Sequence, residues 1–271
     1  VTSALTVGPA WLFCPADRPE RYAKALERSD LVLLDLEDAV APSAKAGGPR
    51  SFVRHLDLDW SRTIVRINAA DTDEHAADLA LVAEIGCPRV MLAKAETPES
   101  VGRMPVEVVV LVESPLGVVR ARELVAEANV IGAMWGAEDF IAGMGGTSSR
   151  FADGTYRDVA RHARSEVLVA AKAMRRLAID SVVLDIADAE GLAGECSDAV
   201  AVGFDAKAAI HPSQVSVIRD AFRPAPDEVA WARAVLAAAK EHDGGVFTHA
   251  GRMVDGPVLK HAAAVVRRAN H

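Results

Sequence analysis

Glu113 in "LVESPLG" and the adjacent carboxylates Glu138 and Asp139 in "IGAMWGAEDF" each end an apolar run. Carboxylates at the ends of neighbouring strands can converge on one cation, because parallel strands lie about 4.8 Å apart and oxygen ligands sit at about 2.1 Å from magnesium. Glu113 and Asp139 form the candidate pair, and Glu138 has a supporting role. The sequence has no H-E-x-x-H and no paired cysteines, so a hard divalent cation fits best, magnesium first and manganese as the alternative. Two protein ligands would leave coordination positions for water and substrate, as a Lewis-acid site requires. Arg66 in "IVRINA" could hold a carboxylate or stabilise a developing enolate, with Glu37 or Asp38 as its orienting partner. Lys94 in "VMLAKAE" could instead form a Schiff base with a ketone. His211, before Pro212, reads as a hydrogen-bonded residue closing a strand.

These residues need a scaffold that brings many strand ends to one place. Eight runs read as strands: "AWLFCP", "LVLLDLED", "RTIVRINA", "RVMLAKAE", "EVVVLVESP", "IGAMWGAED", "SVVLDIAD" and "KAAIHPSQ". Each is followed by helix-like sequence, though the fourth helix is short. The clearest helix spans Tyr156 to Ala178, with Val159, Ala163, Val167, Ala170, Met174 and Leu177 on one face. The alternation predicts a (β/α)8 TIM barrel over 1–222, whose site lies at the C-terminal ends of the strands. A doubly wound open sheet would carry a glycine-rich phosphate turn, and neither G-x-G-x-x-G nor G-x-x-x-x-G-K-[ST] occurs. Residues 223–271 read as a C-terminal helical extension. It comprises "PDEVAWARAVLAAAK", a break at Gly244 and Gly245, and a tail that covers a barrel face or docks on a neighbouring subunit.

The 271 residues are 51% hydrophobic but only 5% aromatic, which suits a parallel sheet buried on both faces by helices. With 30 basic against 38 acidic residues, the net charge is −8, and no basic stripe marks a nucleic-acid binder. Cys14, Cys87 and Cys196 are far apart and form no C-x-x-C, which points to a reducing compartment, with cytoplasm the expectation. No leader-like or membrane-spanning run is evident, since the longest apolar stretch is short and contains Glu107.

Taken in order, "LFCPADRPERYAKA", "LLDLEDAV", "VRINA", "VMLAKAE", "LVESPLG", "MWGAEDF", "GFDAKAAIHPSQV" and "MVDGPVLKHA" resemble the citrate lyase β-subunit-like proteins. These belong to the metal-dependent barrel lyases and aldolases that include malyl-CoA and citramalyl-CoA lyases. The resemblance runs almost end to end. It puts the metal on Glu113 and Asp139, the substrate arginine on Arg66, and coenzyme A contacts on Arg18 and Lys24. It also gives the backbone of Gly136, Ala137, Glu138 and Asp139 to a substrate carboxylate. Asp255 of "VDGP" falls on an aspartate that, in the malyl-CoA lyase branch, reaches a neighbouring subunit's site. A homo-oligomer, trimer or hexamer, is thereby implied. Ala206, where relatives often have glycine, leaves the pocket near Lys207 unsettled.

The resulting expectation is a reversible lyase acting on a 3-hydroxyacyl-CoA thioester of the malyl, citramalyl or 3-hydroxy-3-methylglutaryl kind, giving acetyl-CoA and a keto acid. Arg66, Asp255 and Glu37 form its catalytic set. The rivals are a Schiff-base aldolase through Lys94, a β-type subunit active only with acyl-carrier partners, and a non-catalytic keto-acid sensor.

Overall fold

The computed structural model describes residue 5 and residues 7–38, 48–242 and 245–269. The chain divides into two compact units, Val1–Ile218 and Arg219–His271. In the first, eight parallel strands close into a barrel in sequence order. They are β1 (Ala10–Pro15), β2 (Leu31–Asp35), β3 (Thr63–Ile67), β4 (Arg89–Leu92), β5 (Glu107–Val112), β6 (Val130–Trp135), β7 (Leu177–Asp180) and β8 (Ala206–Ala209), and β8 pairs back onto β1. The intervening helices are α1 (Tyr22–Arg28), α2 (Gly48–Arg54), α3 (Asp73–Glu84), α4 (Pro98–Gly102), α5 (Pro115–Val119), α6 (Ala121–Ala126), α7 (Ala137–Gly143), α8 (Asp158–Ala173) and α9 (Ala189–Val202); α10 (Pro212–Phe222) follows β8.

Alternation along each strand explains both the core and the mouth. Trp11, Leu33, Ile64, Leu111, Met134 and Ile179 belong to one buried cluster filling the barrel. Two residues further along each strand, on the same face, come Phe13, Asp35, Arg66, Glu113, Gly136 and Ser181. Four of these six, Asp35, Arg66, Glu113 and Ser181, are polar, so the apolar filling gives way at this level to a largely polar mouth, with Phe13 still packed on the core.

The expected seventh strand, "SVVLDIAD", is wrong: β7 is "LAID", and residues 181–188 form a loop. The long helix also stops earlier, at Ala173, because Arg175 takes a left-handed φ of 55° that turns the chain into β7. No glycine marks that stop, so the helical periodicity of the sequence continues through Met174 and Leu177. Val159 and Met174, assigned to the buried face, are exposed, and Ala160, Leu168 and Ala171 are buried instead.

The second unit contains α11 (Pro226–Glu241), β9 (Phe247–His249), β10 (Arg252–Val254) and α12 (Gly256–Arg268) around a small core of Ala232, Val235, Phe247, Val254, Ala262 and Val265. The tail read as helical thus opens with an antiparallel hairpin. Its turn residues, Ala250 and Gly251, both have positive φ, as a two-residue hairpin turn requires. Gly244 of the expected break lies outside the described residues. Among the described residues, no helix is long and apolar enough to cross a membrane.

Candidate active site

The mouth of the barrel is organised around Arg66. In the β2–β3 register Asp35 lies opposite Arg66, so both side chains project from one level. Arg66 Nε donates to Asp35 Oδ1 at 2.7 Å and Nη2 to Oδ2 at 2.6 Å, a bidentate pair. Nη1 lies 3.1 Å from Glu37 Oε2, and the guanidinium stacks over Phe13 at 4.8 Å. The orienting partner expected as Glu37 or Asp38 is therefore mainly Asp35, with Glu37 second; the ion pair of Asp38 is with Lys94 instead. Burial works against the arginine's charge, but Asp35 and Glu37 outweigh it and hold the group firmly protonated. Each terminal nitrogen still carries a second N–H.

Glu37, one of the expected catalytic groups, has both oxygens engaged, Oε2 with Arg66 and Oε1 with Lys94 Nζ at 2.5 Å. Burial raises its pKa, and the two cations pull against that shift. Lys94 also lies 3.4 Å from Asp38 Oδ2 and 3.6 Å from Asp139 Oδ1. Burial lowers the lysine's basicity, but Glu37, Glu113 and Asp139 more than restore it, so its pKa is raised overall. A Schiff-base lysine needs a lowered one.

Glu113 and Asp139, the candidate pair, lie at the same end of the barrel, each within reach of Lys94. The β5–β6 register sets Val112 against Trp135, which brings Glu113 level with Gly136 and places Asp139 in the first turn of α7. Glu113 is 4% exposed and accepts the Lys94 backbone N–H at 3.1 Å. A Cβ on Gly136 would stand 2.7 Å from both Cβ and Oε2 of Glu113, so only glycine leaves room for this carboxylate. The Gly136 N–H, assigned to a substrate carboxylate, is instead bonded to the Val112 carbonyl at 3.1 Å. Gly136 therefore contributes space rather than a donor. The Ala137 N–H faces Ser181 Oγ at 3.4 Å, and those of Glu138 and Asp139 have no intrahelical acceptor.

Burial pushes the Glu113 pKa up to about 8; Arg66 and Lys94 oppose this, and Asp139 and Glu37 add to it. A buried carboxylate that ionises with such difficulty beside a second one is the donor chemistry a hard cation satisfies. The pair fits such an ion. Among the described residues no three His, Cys, Asp or Glu gather as a ligand set, so the donors on offer are these two.

The remaining expected residues are dispersed. Glu138 accepts from Ser149 Oγ at 2.7 Å and faces a neighbouring cleft of about 750 Å³. Arg18 and Lys24 are exposed, just after β1 and on α1. His211 lies just beyond β8 and bonds Ser213. In the second unit, Asp255 caps α12 by accepting from the Val258 N–H at 3.3 Å. Sequence reasoning missed a buried network beside the site: Asp180 accepts from Trp135 Nε1 at 2.7 Å and pairs with Lys207 at 3.1 Å and Arg164 at 3.0 Å. A seventh strand at 181–188 leaves Asp180 in a helix-to-strand connection, where nothing marks it as buried.

Comparison with known proteins identifies relatives of the chain. Residues 10–212 match the family described as HpcH/HpaI aldolase/citrate lyase. A citrate lyase subunit beta-like protein of Mycobacterium tuberculosis is 54% identical over 263 residues, covering 97% of this chain and 96% of its own. The mitochondrial citramalyl-CoA lyase of Rattus norvegicus is 32% identical over 293 residues, covering 96% of this chain and 85% of its own. The crystal structure of protein CitE from Mycobacterium tuberculosis, in complex with magnesium, acetoacetate and coenzyme A, superposes with a TM-score of 0.92 at 53% identity, covering 98% of this chain and all of that one. A closed (β/α)8 barrel with this sequence likeness places the chain in the HpcH/HpaI aldolase/citrate lyase family, and it is a carbon–carbon lyase.

Proposed function

We propose that the chain cleaves a 3-hydroxyacyl-CoA thioester, of the malyl, citramalyl or 3-hydroxy-3-methylglutaryl kind, into acetyl-CoA and a keto acid, and catalyses the reverse condensation. The observation that carries this reading is the buried Glu113 beside Asp139 at the barrel mouth, facing an arginine locked by Asp35. The magnesium, acetoacetate and coenzyme A held by the Mycobacterium tuberculosis relative support it. Glu113 and Asp139 hold magnesium, or manganese in its place. When bound, the cation supplies charge neutralisation of the pair and polarisation of a substrate oxygen.

The protein's own groups do the rest. Arg66, fixed by Asp35 and Glu37, directs its remaining N–H groups at the thioester oxygen on which enolate charge develops. Glu37 is an orienting link between Arg66 and Lys94. The N–H groups of Glu138 and Asp139 hold the keto-acid carboxylate, with Ala137 beside them. Glu138 braces the following segment through Ser149. Arg18 and Lys24 supply positive charge for the coenzyme A phosphates. Asp255, donated by a neighbouring subunit of a trimer or hexamer, moves the proton at the α-carbon.

Screening the purified chain against the three thioesters, with magnesium and then with excess chelator, tests the reading. Turnover of at least one is expected, lost in chelator and in Glu113→Ala and Asp139→Ala. Full activity in chelator refutes it. A second reading, a β-type subunit needing acyl-carrier partners, is favoured by the 54% identical citrate lyase subunit beta-like protein. Turnover of a free CoA thioester by the chain alone excludes that one.

A further inference from the structure

Lys94 follows β4 with φ of 47°, a left-handed conformation uncommon for any residue with a Cβ. Glycine would adopt it freely, yet the position carries a lysine whose ammonium engages Glu37, Asp38 and Asp139. The same left-handed turn aims the Lys94 backbone N–H at Glu113 Oε1, 3.1 Å away. On its other side Glu113 is hemmed in by Gly136, where no Cβ could be accommodated. A single residue therefore reaches one proposed metal carboxylate with its backbone and the other with its side chain.

We propose that Lys94 is a positioning residue whose left-handed backbone sets the Glu113 carboxylate for metal binding; this rests on the Glu113–Asp139 metal reading. Geometry at this residue then controls metal affinity independently of its charge. Partners that orient a metal ligand change affinity by about 10–100-fold when lost. The ammonium explains why the strained residue is not glycine, since glycine could not bind Glu37 and Asp139.

Four variants without an ammonium separate the two contributions: Lys94→Gly, Lys94→Asn, Lys94→Ala and Lys94→Val. They carry equal charge but tolerate left-handed φ in descending order. Mn2+ binding to each full-length protein without substrate, followed by electron paramagnetic resonance, gives the readout, with thermal unfolding recorded alongside. Affinity is expected to fall along the series, with Lys94→Gly at least about tenfold tighter than Lys94→Val. If Lys94→Val does not fold, the step from Lys94→Asn to Lys94→Ala gives the same test. Equal Mn2+ affinities across the folded variants overturn the proposal, even if melting temperatures differ, because a merely structural strain would move only the latter. A wild-type chain that binds no Mn2+ overturns the metal reading and this inference with it.

Discussion

Gly136→Ala is the sharpest perturbation of the site that leaves every charged group in place. The glycine has φ of −119°, so alanine meets no backbone obstacle, and the whole effect must come from space. The new methyl group would lie 2.7 Å from Glu113 Cβ, 2.7 Å from Oε2 and 3.5 Å from Cδ. Rotating the Glu113 side chain relieves the oxygen contact but not the one to Cβ, which is fixed to the backbone. The ends of β5 and β6 must then part by several tenths of an ångström, straining the 3.1 Å bond from Gly136 N–H to the Val112 carbonyl. Overpacking of this kind costs about 1–3 kcal/mol. In a chain of this size that corresponds to a fall in melting temperature of roughly 2–12 °C. Displacing a carboxylate by even about 1 Å can cost on the order of a hundredfold in rate. Thermal unfolding, Mn2+ binding and metal-dependent turnover should all report the change. Gly194→Ala is the control: it lies in α9, where an added methyl group would meet nothing within 4 Å, and it should be neutral or stabilising by up to about 1 kcal/mol. Wild-type turnover and stability in Gly136→Ala would refute the reasoning. So would an inactive variant whose crystal structure shows Glu113 unmoved.

Arg66→Lys keeps the charge but cannot reproduce the two-pronged contact with Asp35, and should lose at least about tenfold in kcat/KM, roughly 1.4 kcal/mol. A near-normal variant would return Arg66 to a purely structural role. Asp180 is an acid-sensitive element of the fold: burial disfavours its charge, but Lys207 and Arg164 prevail and hold its pKa at about 2. Because the folded value lies below the unfolded one, near 3.9, the stabilisation is complete above about pH 5 and is lost as pH falls through 4 towards 2, on the order of 2 kcal/mol. Urea unfolding across that range should show the loss, and Asp180→Asn should be less stable at pH 6 but have a shallower acid slope; an unchanged slope would contradict the assignment. For the shared-site proposal, Asp255→Ala and Glu113→Ala chains should each be inactive yet recover partial turnover when co-assembled. Verified subunit exchange with no recovery would leave Asp255 only its observed role as the cap of α12.

Sequence alone determined the barrel and the identity of its polar mouth. Strand-and-helix alternation is a local pattern, and the carboxylates of "LVESP" and "GAEDF" stand where apolar runs end, so strand ends could be read without knowing how strands pair. Only the tertiary structure decided which groups meet. Asp35 rather than Asp38 clamps Arg66 because the β2–β3 register sets residues 35 and 66 opposite each other, and register depends on the packing of the whole barrel. The true seventh strand, and with it the Asp180 network, was hidden because a left-handed Arg175 rather than a glycine ends α8, while the strand-like "VVL" was used as a loop. Lys94 shows the same limit most clearly. Its sequence context offers a lysine and nothing more; the left-handed turn that sends its N–H to Glu113 and its ammonium to Glu37 and Asp139 is held by contacts from three other strand ends, and no local propensity encodes it.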